Sequence, residues 1–185
     1  MANNNPTDGE LMARLARGDM SALGELAHRH QGRVLVLAFR TLGSWDIAED
    51  VAQETFLRVY RAAKRYKPTA KFTTWLYRIV VNLCLDEQRK RAKAGASLEP
   101  ELYEKLPVSD RNITEKEEMA TLVKAAVQAL PERQRMAVIL HRYDGLNHAE
   151  ISEATGWTQS AVESLLVRAY ANLRGKLAKM KNLLD

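Results

Sequence analysis

The chain has 185 residues, of which 46% are hydrophobic and 28% are charged, and its formal net charge is +5. That composition is ordinary for a soluble protein with one domain or two small ones. No apolar run is long enough to span a membrane, the polar start lacks the apolar stretch of a signal peptide, and the one cysteine excludes an internal disulfide, so we expect a cytoplasmic protein without membrane insertion.

Charge is distributed unevenly along the chain. Residues 1–57 carry a net charge of −3, residues 58–93 carry +9, residues 94–132 carry −4, and residues 158–185 carry +3. Separated basic blocks are typical of proteins that contact nucleic acid at more than one place.

The sequence predicts an all-α protein made of two small helical domains. Helix-forming residues dominate and alternating β-branched runs are missing. Residues 94–114 contain a glycine, two prolines and small polar residues without a sustained period, which predicts a flexible linker between domains at residues 1–93 and 115–185. The acidic linker is either a plain solvated connector or a segment that screens the basic surfaces.

A basic and aromatic segment gives the first indication of function. Residues 58–93 contain eleven Lys or Arg residues and five aromatic rings. Cations hold the phosphate backbone, and rings stack on unpaired bases. Pro68 disfavours helix at Lys67, which predicts a loop before a helix that begins near Phe72.

The helix that begins near Phe72 is predicted to have two faces. An apolar face for the core contains Leu76, Ile79, Val80 and Leu83, with Cys84 as a small core filler. The second face contains Trp75, Arg78, Asn82, Asp86 and Arg89. That face either grips a nucleic-acid strand or is a solvated charged side with Trp75 at the rim of the core.

Residues 130–174 predict a helix-turn-helix, in which the second helix reads bases. Asn147 and Glu150 are spaced as a capping pair for a short helix, Gly156 supplies the tight turn, and Thr158 can cap the last helix. The core face of that last helix contains Val162, Leu166, Ala169 and Leu173. Its opposite face presents Ser160, Glu163, Ser164, Val167, Arg168 and Arg174.

Three motifs occur in order along the chain: DVAQE at residues 50–54, FTTWLYRIVVN at residues 72–82, and the segment at residues 130–168. Together they resemble sigma factors of the extracytoplasmic-function (ECF) group. The sequence DVAQE at residues 50–54 is similar to the helix with which sigma factors hold the clamp helices of the largest polymerase subunit. Residues 72–82 resemble the promoter-melting segment of that family, and residues 130–168 resemble its C-terminal domain, which reads the minus-thirty-five element.

The resemblance implies a bacterial transcription initiation factor. Such a factor binds core RNA polymerase, directs it to specific promoters and helps to melt the minus-ten element. Residues 1–93 would be the docking and minus-ten domain (region 2), and residues 115–185 would be the minus-thirty-five domain (region 4). The implied partners are core polymerase, promoter DNA and an inhibitory anti-sigma factor, with no small-molecule substrate.

The resemblance also implies three groups of site residues. The polymerase-binding group is Asp50, Gln53, Glu54, Leu57 and Arg58. The minus-ten group is Tyr66, Lys67, Lys71, Phe72, Thr73, Trp75, Arg78, Asn82, Arg89 and Arg91, in which Asn82 lines a pocket for a base flipped from the non-template strand. The minus-thirty-five group is Gln159, Ser160, Glu163, Ser164 and Arg168.

Two positions depart from the pattern of the family. Its members often carry Lys or Arg where this chain has Glu163, and Arg where it has Leu165. A carboxylate repels phosphates, yet it can accept a hydrogen bond from cytosine N4. Glu163 is therefore expected either to narrow the choice of sequence or to lower the affinity for DNA.

The sequence predicts neither an enzyme nor a bound cofactor. It lacks a glycine-rich phosphate loop and a nucleophile elbow. His28 and His30 are predicted on different helix faces, and no cysteine neighbours His141 or His148, so no metal site is expected. Two other hypotheses remain: a helix-turn-helix regulator that binds duplex DNA as a dimer without polymerase, and an interaction protein whose basic segment binds an acidic partner.

Overall fold

The computed structural model describes residues 5–68, 71–94 and 115–181, and all regular elements in those ranges are helical, which confirms the predicted all-α class. The chain divides into two compact units: Met1–Ser97 with Glu153–Thr155, and Leu98–Ser152 with Gly156–Asp185. The first unit contains α1 (Asp8–Ala16), α2 (Met20–Leu42), α3 (Trp45–Ala62), a 3-10 turn (Ala63–Arg65) and α4 (Phe72–Lys93). The second contains α5 (Glu115–Gln128), α6 (Glu132–Val138) continued by a π turn (Ile139–Tyr143), α7 (His148–Thr155) and α8 (Gln159–Lys181). Apart from Ala94, the predicted linker lies outside the described residues.

The first two helices begin at side-chain caps. Thr7 and Glu10 form a reciprocal capping box at the start of α1, which satisfies two backbone N–H groups that lack helical partners. Asp19 caps α2 by accepting a hydrogen bond from the Ser21 backbone N–H at 3.0 Å. Hydrogen bonds from Ser21 and Arg14 lower the pKa of Asp19 to about 2, so this carboxylate is charged at neutral pH.

An ionic cluster joins α1 to the middle of α2. The Asp8 carboxylate lies 2.9 Å from His30 Nε2 and 3.3 Å from Arg29 Nη1. Arg29 also donates to the Pro6 carbonyl at 2.7 Å. These contacts hold the start of α1 against α2, and the buried His30 ring in turn packs on Phe72 of α4 with 5.3 Å between ring centroids.

Helix α2 is the centre of the first unit and packs against α1, α3 and α4. The core contains Leu26, Val34, Leu37, Phe39, Val59, Leu76, Val80 and Cys84. The predicted core face of α4 is confirmed, because Leu76 and Val80 are buried and Ile79 and Leu83 are partly buried. Burial raises the pKa of the Cys84 thiol to about 12, so Cys84 is a neutral core side chain.

The second unit is built around α8, which packs on α5 and α6. Its core contains Met136, Ile139, Leu140, Ile151, Val162, Leu166 and Ala169. Arg135 is also buried, and its Nη1 donates to the Gln128 carbonyl in the last turn of α5 at 2.6 Å. Burial lowers the pKa of Arg135, but a guanidinium keeps its charge. Arg135 thus attaches the end of α5 to α6.

The predicted helix-turn-helix is confirmed in α7, the turn and α8. Asn147 and Glu150 form the capping box of α7. Gly156 follows α7 with φ +73°, a left-handed conformation that other residues adopt only with strain. Thr158 accepts a hydrogen bond from the Ala161 N–H at 3.2 Å and so caps α8. The π turn after α6 was not expected from the sequence.

Candidate nucleic-acid and polymerase interfaces

An aromatic cluster formed by Tyr66, Phe72 and Trp75 lies at the start of α4. The Tyr66 and Trp75 rings meet edge to face, with 4.9 Å between centroids and 62° between planes. Phe72 lies 5.7 Å from Trp75 and 6.1 Å from Tyr66. Burial raises the pKa of Tyr66, with a smaller contribution from Asp8, so its hydroxyl stays protonated.

The three rings of this cluster differ in exposure. Tyr66 and Trp75 are half-buried and can each offer part of a ring to a base. Phe72 is only 6% exposed and packs between His30 and Trp75. The resemblance assigns Phe72 to the minus-ten group, but its ring lies in the core, because contacts from α2 cover it.

The outer face of α4 continues from Trp75 along the helix. Arg78 and Asn82 are exposed and make no hydrogen bond or ion pair with the described part of the chain. Farther along, Arg89 is paired with Asp86 at 3.3 Å, although 70% of its side chain remains exposed. Arg91 lies 3.5 Å from Glu87 and is only 23% exposed, so it is less available than Arg78.

The remaining predicted minus-ten residues lie before α4 and in its first turn. Lys67 and Lys71 are exposed, and Thr73 is partly buried. The structure thus brings most of this group to one end and one side of α4. The cationic side chains near the aromatic cluster suit phosphates, while Tyr66 and Trp75 provide apolar surface for bases.

Helix α3 presents the predicted polymerase-binding group on one side. Asp50 and Gln53 are exposed, and Leu57 is 48% exposed although it is apolar. Glu54 accepts a hydrogen bond from Arg58 at 2.9 Å within the same helix. Asp50 and Gln53 are therefore the more available polar groups, a distinction that the spacing of the motif did not reveal.

A cleft of about 590 Å³ separates α3 from the C-terminal half of α4. The residues that line it include Ile47, Asp50, Val51, Glu54, Arg58, Leu83, Asp86, Glu87, Arg89, Lys90 and Lys93. Apolar side chains from both helices and charges of both signs therefore share the cleft. An amphipathic helix with its own charged rim is the kind of partner that such a groove accepts.

Helix α8 presents its predicted minus-thirty-five group outward, since Gln159, Ser160, Glu163, Ser164 and Arg168 are all exposed. Arg168 Nε donates to the Ser164 carbonyl at 3.1 Å, which orients the guanidinium along the helix. Leu165 is buried and faces the core of the second unit. Leu165, where members of the family often carry Arg, therefore does not contribute to the outward surface of α8.

The histidines fall into two pairs, one in each unit. As predicted, His28 is exposed and His30 is buried on another face of α2. The His141 and His148 rings lie 5.7 Å apart, and His141 Nδ1 is 3.2 Å from the Tyr170 hydroxyl. Across residues 5–68, 71–94 and 115–181, no three His, Cys, Asp or Glu side chains are grouped to hold a metal. No helix within these ranges has the length and hydropathy to cross a membrane.

Comparisons with known proteins agree with this geometry. The family model described as Sigma-70 region 2 matches residues 26–94, and the one described as Sigma-70, region 4 matches residues 120–173. The ECF RNA polymerase sigma factor SigE of Mycolicibacterium smegmatis is 38% identical over 170 residues, which are 89% of this chain but 66% of that relative. The ECF RNA polymerase sigma-E factor of Escherichia coli K12 is 33% identical over 181 residues, covering 92% of this chain and 94% of the relative.

A solved structure has the same fold over nearly the whole chain. It is the structure of CnrH in complex with the cytosolic domain of CnrY, with a TM-score of 0.68 and 28% sequence identity. The similarity covers 93% of this chain and 97% of the CnrH chain.

Proposed function

Because the chain belongs to the sigma-70 family, and within it to the ECF group, we propose that it is a promoter-specificity subunit of bacterial RNA polymerase. It binds the core enzyme, directs it to particular promoters and helps to melt the minus-ten element. The proposal depends on one observation: the chain contains both sigma regions, and their predicted contact surfaces are exposed. We also propose residues 1–93 and 115–185 as the two functional domains, with residues 94–114 as their linker.

We assign minus-ten recognition to the loop before α4 and to the outer face of that helix. Tyr66 and Trp75 offer ring surface to an unpaired base, and Asn82 can hydrogen-bond its edge. Arg78 and Lys71 lie where they can neutralise phosphates. Phe72 is buried under this surface and supports it without contacting the DNA strand.

Polymerase docking is assigned to α3. Asp50 and Gln53 offer polar contacts, and the exposed Leu57 offers an apolar one. Burial of this half-exposed leucine against polymerase would remove apolar surface from water and so stabilise the complex. The Glu54–Arg58 pair shapes the rim of the cleft between α3 and α4.

Helix α8 is assigned to the major groove of the minus-thirty-five element. Its N-terminal half presents small and hydrogen-bonding side chains, and its later turns present Arg168 and Arg174. Recognition helices contact base edges near their N-terminal ends. Arginines farther along the helix can hold the backbone.

The polymerase supplies the chemistry in this proposal, so the chain is not an enzyme and requires no cofactor. It works in the cytoplasm, where the polymerase and the promoter are. We further propose that an anti-sigma factor holds it inactive by covering its polymerase-binding surfaces. The complex of the related CnrH with the cytosolic domain of CnrY supports a protein partner of this kind.

The proposed function is tested by adding the purified chain to core polymerase on a library of bacterial promoters and mapping the transcripts. We expect initiation at a discrete set of promoters, together with weak binding of the same duplexes by the chain alone. Tight, specific duplex binding by the free chain with no effect on polymerase would favour a dimeric helix-turn-helix regulator instead. Binding to neither polymerase nor DNA would favour an interaction protein.

A further inference from the structure

Glu163 is the single acidic residue between Gln159 and Lys181, and it lies on the outward face of α8. Its carboxylate is exposed and makes no hydrogen bond or ion pair with the described part of the chain. The nearest guanidinium in sequence on that face, Arg168, is directed to the Ser164 carbonyl. Glu163 therefore presents an uncompensated negative charge where α8 would meet DNA.

A free carboxylate on a DNA-binding surface weakens binding in general, but it can favour one base. Close phosphates repel it, which weakens binding to DNA of any sequence. In the major groove, the exocyclic amino group of cytosine donates a hydrogen bond that a carboxylate accepts. Guanine and thymine present acceptors in the corresponding places, and adenine presents its N7 acceptor beside its N6 donor, so each of these bases would place at least one acceptor against the Glu163 carboxylate.

Val167 lies one helical turn after Glu163 on the same face and is 64% exposed. Contact with another apolar group would remove this exposed side chain from water and stabilise the complex. The C5 methyl of thymine is the apolar group of the major groove. Four residues of helix rise by about 6 Å, which is one or two base pairs of B-DNA. The two side chains can thus reach neighbouring positions of one site.

We propose that Glu163 and Val167 select a minus-thirty-five element in which a cytosine stands one or two base pairs from a thymine. Glu163 accepts a hydrogen bond from cytosine N4, and the Val167 methyl groups contact the thymine C5 methyl. This inference rests on the proposed function, because it assumes that α8 reads the promoter. Ser160 and Ser164 beside them can bond to any base and add little discrimination.

The test uses the full chain with core polymerase and a promoter library in which the upstream element is randomised. Transcripts are sequenced for the unchanged chain and for the Glu163→Gln, Val167→Ala and Glu132→Gln variants. Glu132→Gln is the matched control, because it removes the same charge from an exposed position on α6 of the same unit. All three side chains are exposed, so the variants should fold as the unchanged chain does.

We expect the unchanged chain to prefer cytosine at one position by about tenfold, within the range of a single side-chain contact to a base. Glu163→Gln should move that preference to adenine, because an amide pairs with adenine N6 and N7. Val167→Ala should reduce the preference for thymine nearby, and the control should change neither.

Two outcomes overturn the inference while leaving the proposed function intact. One is initiation at discrete promoters with the same base preferences in Glu163→Gln as in the unchanged chain. The other is a uniform rise in binding of Glu163→Gln to all sequences, which would make Glu163 a repulsive group only. If the unchanged chain directs no initiation at all, the proposed function fails, and this inference fails with it.

Discussion

Tyr66 and Trp75 meet edge to face with 4.9 Å between their ring centroids, across the junction of a loop and the first turn of α4. Each ring therefore keeps the other in place while part of its surface remains open. The pair contributes about 0.5–1.5 kcal/mol beyond its buried area, so it stabilises the fold as well as the proposed base site.

Trp75→Ala should impair promoter opening more than it impairs folding or docking. A stacked base contributes about 1–3 kcal/mol, whereas loss of the half-exposed ring costs less stability than a core ring would. Potassium permanganate footprinting measures opening, and urea denaturation measures stability. Asn82→Ala is the matched variant, because Asn82 has no partner within the described residues and its loss should reduce opening alone. A Trp75→Ala chain that is unfolded at room temperature would contradict the assignment.

Phe72→Ala and Phe72→Leu should separate a core role from a DNA role. Removing a buried phenyl ring leaves a cavity and costs about 3–5 kcal/mol, so Phe72→Ala should unfold at a much lower temperature. Phe72→Leu should remain folded and retain promoter opening, because Leu fills most of the space. Loss of opening in a stably folded Phe72→Leu chain would show that this ring contacts DNA after all.

Asp50→Lys should weaken association with core polymerase, since it reverses the charge of an exposed side chain on the proposed docking face. Loss of a charged contact at a protein interface changes affinity by about 1–3 kcal/mol, which competition binding with labelled core enzyme resolves. Glu25→Lys is the charge-matched control, because Glu25 lies on α2 and not on the docking face of α3. Arg168→Ala should spare docking and reduce promoter use. Equal affinities for Asp50→Lys and Glu25→Lys would remove this face from the docking surface.

Part of the folding stability should depend on the ionisation of Asp19, the cap of α2, and should therefore change at acid pH. Hydrogen bonds from Ser21 and then Arg14 lower the pKa of Asp19 to about 2, below its ordinary value of 3.8. A lowered carboxyl pKa stabilises the folded state above the unfolded value, and this stabilisation is lost as pH falls from 3.8 through about 2. Asp19→Asn should therefore be less stable than the unchanged chain at neutral pH but not at the lowest pH. Urea midpoints across this range measure the difference, and a constant difference at every pH would contradict the ionic origin of the cap.

An anti-sigma partner should form a one-to-one complex that protects both units. We expect a small, partly helical protein whose apolar side chains enter the cleft beside α3, where apolar and charged groups meet. Co-purification from the native host followed by hydrogen exchange would locate the protected helices. Protection of α3 and α8 together supports the proposal, whereas protection confined to one unit opposes a partner that covers both.

Sequence patterns predicted the features that depend on neighbouring residues. The capping pair Asn147 and Glu150, the left-handed Gly156 and the start of α4 all follow from local backbone chemistry. Burial of Phe72 could not be predicted in this way, because it depends on His30 from a distant turn of α2. Periodicity alone assigns faces to a helix but does not reveal which neighbour covers them.

Sequence patterns also failed to show which residues of the recognition helix α8 face outward. Leu165 follows the exposed Glu163 and Ser164 in sequence and departs from the family pattern, yet its side chain is buried in the core. Likewise, the DVAQE motif gives Asp50 and Glu54 equal weight, but the structure pairs Glu54 with Arg58. Local pairing and packing therefore decide which members of a motif are free to bind.

Burial of Cys84 makes the chain convenient for site-specific labelling. The sequence has one cysteine, and its thiol is fully enclosed and neutral in the folded protein. Maleimide dyes react with exposed thiolates, so they should not label Cys84 in the folded chain. A single introduced cysteine, such as Glu49→Cys in the first unit or Glu132→Cys in the second, then becomes a unique dye position. A doubly labelled chain would report by fluorescence transfer how far apart the two units stand before and after polymerase is added.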